Sequence, residues 1–200
     1  MRQVGKRHTV AATRVETAQV VLPGYTNAMG TLFGGMVMQW IDVAAAISAA
    51  RHARGPVVTA SMDRLHFLRP VHVQQFVIVQ AEVSFAANSS MEVEVNVLSE
   101  DPWTGERATT THALLTFVAI DDQGHPRAVP KLDTETPFEK RRFREASRRR
   151  AERLRDRKRL LDKGPRGGPL DPPRASAAGR SPSALTRRLA VSGHPRKQHA

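Results

Sequence analysis

Gly34-Gly35-Met36-Val37-Met38-Gln39-Trp40-Ile41-Asp42-Val43-Ala44-Ala45-Ala46-Ile47-Ser48-Ala49-Ala50 carries a single carboxylate, Asp42, on an otherwise uncharged run. Alanine, methionine, isoleucine and glutamine favour a helix, and no glycine or proline interrupts the run after Gly35. From Met36 to Ala50 such a helix spans about 22 Å, short of the roughly 30 Å hydrocarbon core of a bilayer. A helix apolar nearly all round is normally buried, and its alanines let neighbouring backbone approach closely. Burying a carboxylate is costly unless it is paired or used. Asp42 therefore needs a reason.

The flanking sequence supplies strands. Thr13–Leu22 reads as the first, and Pro23–Gly30 as a loop punctuated by proline and glycine. After the helix, Gly55-Pro56 breaks the chain before a strand at Val57–Phe67, itself stopped by Pro70. Phe76–Phe85, Met91–Leu98 and Arg107–Ile120 follow, the last two separated by the turn Asp101-Pro102-Trp103-Thr104-Gly105. Met91, Val93, Val95 and Val97 alternate with Glu92, Glu94 and Asn96, so one sheet face is expected to be charged and to meet solvent. A strand, one long helix and four strands on short connections predict an α+β fold, an antiparallel sheet with the helix on one face. Such a sheet leaves long open edges, which a homodimer would cover.

The charge is unevenly spread. The 200 residues carry a net +12, but residues 1–138 hold 11 Lys/Arg against 13 Asp/Glu, a net of −2, and residues 139–200 hold 20 against 6, a net of +14. Residues 13–133 are thus read as the folded domain, preceded by a flexible N-terminus at 1–12. Thr136-Pro137-Phe138-Glu139 is a capping box with proline at the first helical position. It predicts a charged helix over 134–162, on the surface or at an oligomer contact. The Gly-, Pro-, Ser- and Arg-rich stretch 163–200 lacks the apolar content to fold and is expected to be a disordered basic tail. Such a tail can bind nucleic acid, anionic lipid or acidic partners, although keeping the protein soluble is its simpler role. With no cysteine, disulfides, thiolate metal sites and a cysteine nucleophile are excluded. Met1–Val10 has no apolar signal core, which fits a cytoplasmic protein. The eight histidines show no ligand spacing, so no metal is expected.

Several motifs, in order, carry a family resemblance. Asn27-Ala28-Met29-Gly30-Thr31-Leu32-Phe33-Gly34-Gly35, then Trp40-Ile41-Asp42 and Arg51-His52, resemble the signature of the hotdog-fold acyl-CoA thioesterases. The likeness is strongest to the bacterial short-chain and brain-type cytosolic acyl-CoA hydrolases. It continues through Val58-Thr59-Ala60-Ser61-Met62-Asp63, His66-Phe67-Leu68-Arg69-Pro70 and Ser89-Ser90-Met91-Glu92-Val93 to about residue 160. Two turns depart from the pattern: Gln74-Gln75 replaces a usual Gly-Asp, and Ala87-Asn88 a usual Gly-Arg.

The resemblance implies a hotdog fold, with a curved antiparallel sheet wrapped around the helix. It also implies an acyl-CoA hydrolase that needs no cofactor, CoA being part of the substrate, in a homodimer or a trimer of dimers. Thioester hydrolysis requires a water, a group to take its proton, and donors for the oxyanion. By family likeness Asp42 is the general base or the nucleophile, and Asn27 is its partner from across the dimer. Gly34 or Gly35 would offer a backbone N–H to the thioester oxygen at the positive helix end. Asp42 follows Gly34 by eight residues, about two turns, on roughly the same side of the helix. Arg69, Ser89 and Ser90 are candidate CoA contacts.

Two other readings compete. A hotdog hydratase or dehydratase would want a histidine near the helix start, where Phe33 stands instead. A non-enzymatic acyl-CoA-binding protein is the other, although no helix-turn-helix precedes the sheet to read DNA. No Gly-x-Ser-x-Gly elbow is present, so a serine esterase is not expected.

Overall fold

The computed structural model describes residues 8–162; the expected tail at 163–200 and residues 1–7 lie outside them. A one-turn helix α1 (Val10–Thr13) precedes strand β1 (Val15–Val20). The long helix α2 (Gly34–Ala53) follows, then β2 (Val57–Phe67), β3 (Phe76–Ala86), β4 (Ser90–Glu100), β5 (Arg107–Ala119) and helix α3 (Pro137–Asp162). The five strands form one antiparallel sheet in the order β1-β3-β4-β5-β2. Register shifts interrupt the β2–β5, β3–β4 and β4–β5 ladders. Bulges of this kind bend and twist a sheet.

Residues 8–12, part of the expected flexible N-terminus at 1–12, pack against the domain. Val10 is buried, the Thr9 hydroxyl caps α1 by accepting from Ala12 N, and Asp133 N donates to His8 O at 2.9 Å. The apolar signal there, Val10 alone, is too weak to read from sequence.

Helix α2 lays Val37, Ile41, Ala44, Ala45, Ala49 and Ala53 against the sheet, where they meet Val79, Val93, Val95, Leu115 and Phe117. The four alanines leave room for the sheet to approach, and burying Ile41 fully contributes about 1.5–3 kcal/mol. The helix is not buried all round, however. Val43 and Ile47 remain exposed on the far side. Its C-terminus turns through Arg54 in the left-handed region, and Arg127 Nη2 donates to Ala53 O at 2.7 Å. A guanidinium at the negative end of the helix dipole is favourable.

The charged sheet face does not meet solvent. Helix α3 lies across it, opened by the predicted box: Glu139 N donates to Thr136 Oγ1 at 3.1 Å, and Glu139 Oε2 accepts from Thr136 N. Arg149 and Arg153 pair with Glu92 at 2.5 and 2.8 Å, and Arg153 also reaches Asp63. Arg142 bridges Glu82 and Glu94. Phe143 packs on Phe85, and Ala146 is fully buried. Burial pushes the Glu92 carboxyl up, but hydrogen bonds from Arg149 and Arg153 outweigh it and hold the carboxyl below the usual range. Alternation correctly put the glutamates on the outer face; their arginine partners lie 48 to 61 residues away in the chain.

The Gln74-Gln75 departure has a local account. Gln75 Oε1 accepts from His72 N at 2.9 Å, and Gln74 N and Val21 O close the turn onto the end of β1. Gln74 itself sits at φ 72°, where a side chain is strained by about 1–2 kcal/mol. Gln74→Gly is therefore expected to raise stability by about 0.5–1 kcal/mol, once glycine's larger unfolded-state entropy is subtracted. A denaturant titration whose midpoint falls rather than rises would contradict this.

Candidate active site

Asp42 is half-buried on α2, and its Oδ1 accepts a 2.8 Å hydrogen bond from the Thr59 hydroxyl. Thr59 stands on β2, the edge strand that crosses this side of the helix. Strand β2 has no neighbour on its outer edge, and most of its residues are exposed. The carboxylate is thus held through Oδ1 by one hydroxyl among the described residues. Sequence reasoning missed Thr59, although it lies within one of the quoted motifs. Only the pairing of helix and strand marks it.

Asn27 lies in a tight loop. Its Oδ1 accepts from Met29 N at 2.9 Å and Thr31 N at 3.2 Å, and its Nδ2 donates to Thr31 Oγ1. The loop is anchored by Leu32 N to Val71 O and Phe33 N to Tyr25 O, both 2.8 Å. None of the hydrogen bonds of Asn27 runs to Asp42. The loop leads directly into α2, whose first turn has no capping side chain. The first amides of a helix have no intrahelical acceptor, so Gly34 and Gly35 begin α2 with N–H groups available.

Gly34 lines a cleft of about 290 Å³ with Leu32, Val37, Phe67, Arg69 and Val71. Arg69 thus lies near the helix start. Ser89 and Ser90 do not: Ser90 aligns through Val118 with Val58, beside Thr59. Thr59 and Phe67 are eight residues apart on β2, roughly 26 Å of extended strand. The candidate CoA contacts therefore fall at two ends of the sheet. Among the described residues, no group of three or more His, Cys, Asp or Glu could hold a metal ion.

Gly34 and Asp42 are about 12 Å apart along the helix axis. Being on a similar side of the helix does not let them reach one carbonyl carbon, since donors and base must each lie about 3 Å from the reacting atoms. One chain therefore holds two separate candidate clusters: Asp42 with Thr59, and the Asn27 loop with the Gly34-Gly35 amides.

The sequence profile described as the thioesterase superfamily matches residues 29–105. Over 127 residues the chain is 45% identical to YkhA of Bacillus subtilis, named an uncharacterized acyl-CoA thioester hydrolase, covering 64% of this chain and 74% of the relative. The chain belongs to the thioesterase superfamily. A solved hexameric acyl-CoA thioesterase in its apo form superposes on this superfamily member with a TM-score of 0.72 at 38% identity, covering 76% of this chain and 97% of the other. An acyl-CoA hydrolase of Staphylococcus aureus, solved with butyryl-CoA and CoA, superposes at 0.70 with 34% identity, over 79% and 99% of the two chains. That hydrolase has also been solved as three alanine variants, of an asparagine, an aspartate and a threonine spaced 15 and then 17 residues apart. Asn27, Asp42 and Thr59 have the same spacings. The structural neighbours confirm the α+β hotdog architecture of the superfamily chain.

Proposed function

We propose that this chain hydrolyses acyl-CoA thioesters to a free carboxylic acid and CoA, at a site assembled from two copies of the chain. The pairing of Asp42 with Thr59, at the spacing altered in the S. aureus variants, carries the reading. Relatives and structural neighbours named acyl-CoA hydrolases support the substrate class. The exposed edge of β2 and the apolar stripe of Val43 and Ile47 support the dimer, because both need a cover. A hexameric neighbour supports assembly into a trimer of dimers.

In this arrangement, the amide of Gly34 or Gly35 in one copy receives the thioester oxygen as charge develops on it. Asn27 of the same copy orients the water or the substrate. Asp42 of the second copy takes the water's proton as water adds to the carbonyl carbon, or attacks that carbon itself to give an anhydride that water then hydrolyses. In either case the C–S bond breaks, CoA leaves as the thiolate and is reprotonated, and Thr59 fixes the carboxylate's direction. Arg69 is assigned to the CoA phosphates, with Ser89 and Ser90 of the second copy as further contacts. No cofactor is needed, since every role falls to a side chain or amide. Among the described residues no helix is long and apolar enough to cross a membrane, and the cysteine-free sequence suits a cytoplasmic setting.

Mixing inactive variants tests the shared site. Asn27→Ala and Asp42→Ala chains, co-refolded at equal amounts, would form mixed dimers with one site intact and one doubly disabled. Thiol release should then recover to about a quarter of the wild-type rate, because half the dimers are mixed and half their sites work. A mixture no more active than the parents would place both residues in one chain's site and end the reading.

A further inference from the structure

Gly34 and Gly35 each face an aromatic ring. A methyl group added at Gly34 would lie 3.3 Å from Phe67 Cζ, and one added at Gly35 would overlap the ring of Phe33. Both rings are more than half exposed, 53% for Phe67 and 55% for Phe33, and neither belongs to the buried core. Large apolar side chains in such numbers at one helix start mark a surface meant to be covered. Phe67 also walls the cleft of about 290 Å³, whose other apolar lining is Leu32, Val37, Leu68, Pro70 and Val71. That cleft opens beside the Gly34 backbone, the group to which the proposed reaction assigns the thioester oxygen. The polar groups in the lining are Thr31, Thr111 and Arg69, so most of the wall that an acyl chain leaving that carbonyl would meet is apolar.

We propose that Phe67 is a specificity-determining residue whose ring limits the length of the unbranched acyl chain that the cleft admits, with Phe33 holding the thioester end against Gly35. This rests on the hydrolase reading above. Glycine at position 34 is then explained from both sides: it brings the amide to the substrate and gives the Phe67 ring its seat.

The test is kcat/KM for thiol release across straight-chain acyl-CoAs from acetyl to palmitoyl, on the full chain and on Phe67→Ala and Phe67→Trp, with oligomer size measured for each. Phe67→Ala is expected to raise the ratio of long- to short-chain kcat/KM at least about tenfold, and Phe67→Trp to lower it by a similar factor, since pocket contacts with single methylenes discriminate about 10–200-fold. Opposite shifts from the two variants cannot come from general loss of structure. Parallel losses at all chain lengths, unchanged ratios, or a change in oligomer size would each overturn the proposal. A wild-type chain that releases thiol from no acyl-CoA would instead overturn the hydrolase reading beneath it.

Discussion

Asp42→Ala should lower kcat for acyl-CoA hydrolysis at least about 100-fold, in line with removing a general base, which contributes roughly 10²–10⁴. The chain should still fold, because Asp42 is only half-buried and its hydrogen-bond partner, Thr59, is exposed. Folding is read by circular dichroism and oligomer size, turnover by thiol release. Thr59→Val keeps the volume and removes the hydroxyl. It should cost less, about tenfold, since the carboxylate stays but loses its direction, and Thr59→Ser should restore most of the rate. An Asp42→Ala enzyme within twofold of wild type would leave the half-site without its chemistry. A Thr59→Ser variant as impaired as Thr59→Val would show that the hydroxyl is not what matters.

Glu92→Ala should destabilise the protein by about 3 kcal/mol, because it leaves the partly buried Arg149 without its carboxylate and Arg153 with Asp63 alone. For a chain of this size that corresponds to a fall in Tm of roughly 6–12 °C. Activity measured well below the melting temperature should change little, since Glu92 lies on the sheet face opposite α2. The same ion pairs make the docking of α3 sensitive to acid. Burial raises both Glu82 and Glu92, but the hydrogen bonds from Arg142 and Arg14 to Glu82, and from Arg149 and Arg153 to Glu92, bring each below its ordinary value of 4.5. The folded state therefore releases these protons more readily than the unfolded chain does. The stability they contribute is full above about pH 4.5 and is lost as pH falls through the depressed folded values. Thermal melts from pH 7 to pH 3 should show this loss in the wild type and a shallower one in Glu92→Ala. Equal slopes in the two would assign the acid sensitivity elsewhere.

Much of the fold was legible because its signals are local. The largely apolar run at Gly34–Ala50 predicted α2, which the structure extends to Ala53. The alternation at Met91–Leu98 predicted β4 and which side chains share a face. The Thr136–Glu139 box predicted the start of α3. What failed to read is non-local. Residues 8–12 are held by Asp133, and the glutamates of β4 by arginines of α3. The expected solvent-facing sheet was wrong for that reason: a strand's alternation says which residues share a face, not what covers it.

The site divides in the same way. Sequence alone singled out Asp42, because one carboxylate on an apolar helix must be paired or used, and it placed Asn27, Gly34 and Gly35 through family motifs. It also set the eight-residue separation of Gly34 from Asp42. The rise of an α-helix turns that separation into about 12 Å, too far for one carbonyl; only the tertiary structure delivered Thr59 to the carboxylate from an edge strand. A residue's chemistry is written in its own side chain. The direction in which a carboxylate points, and the neighbour that fixes it, depend on which strand lies beside the helix, and that is settled by how the sheet closes over it.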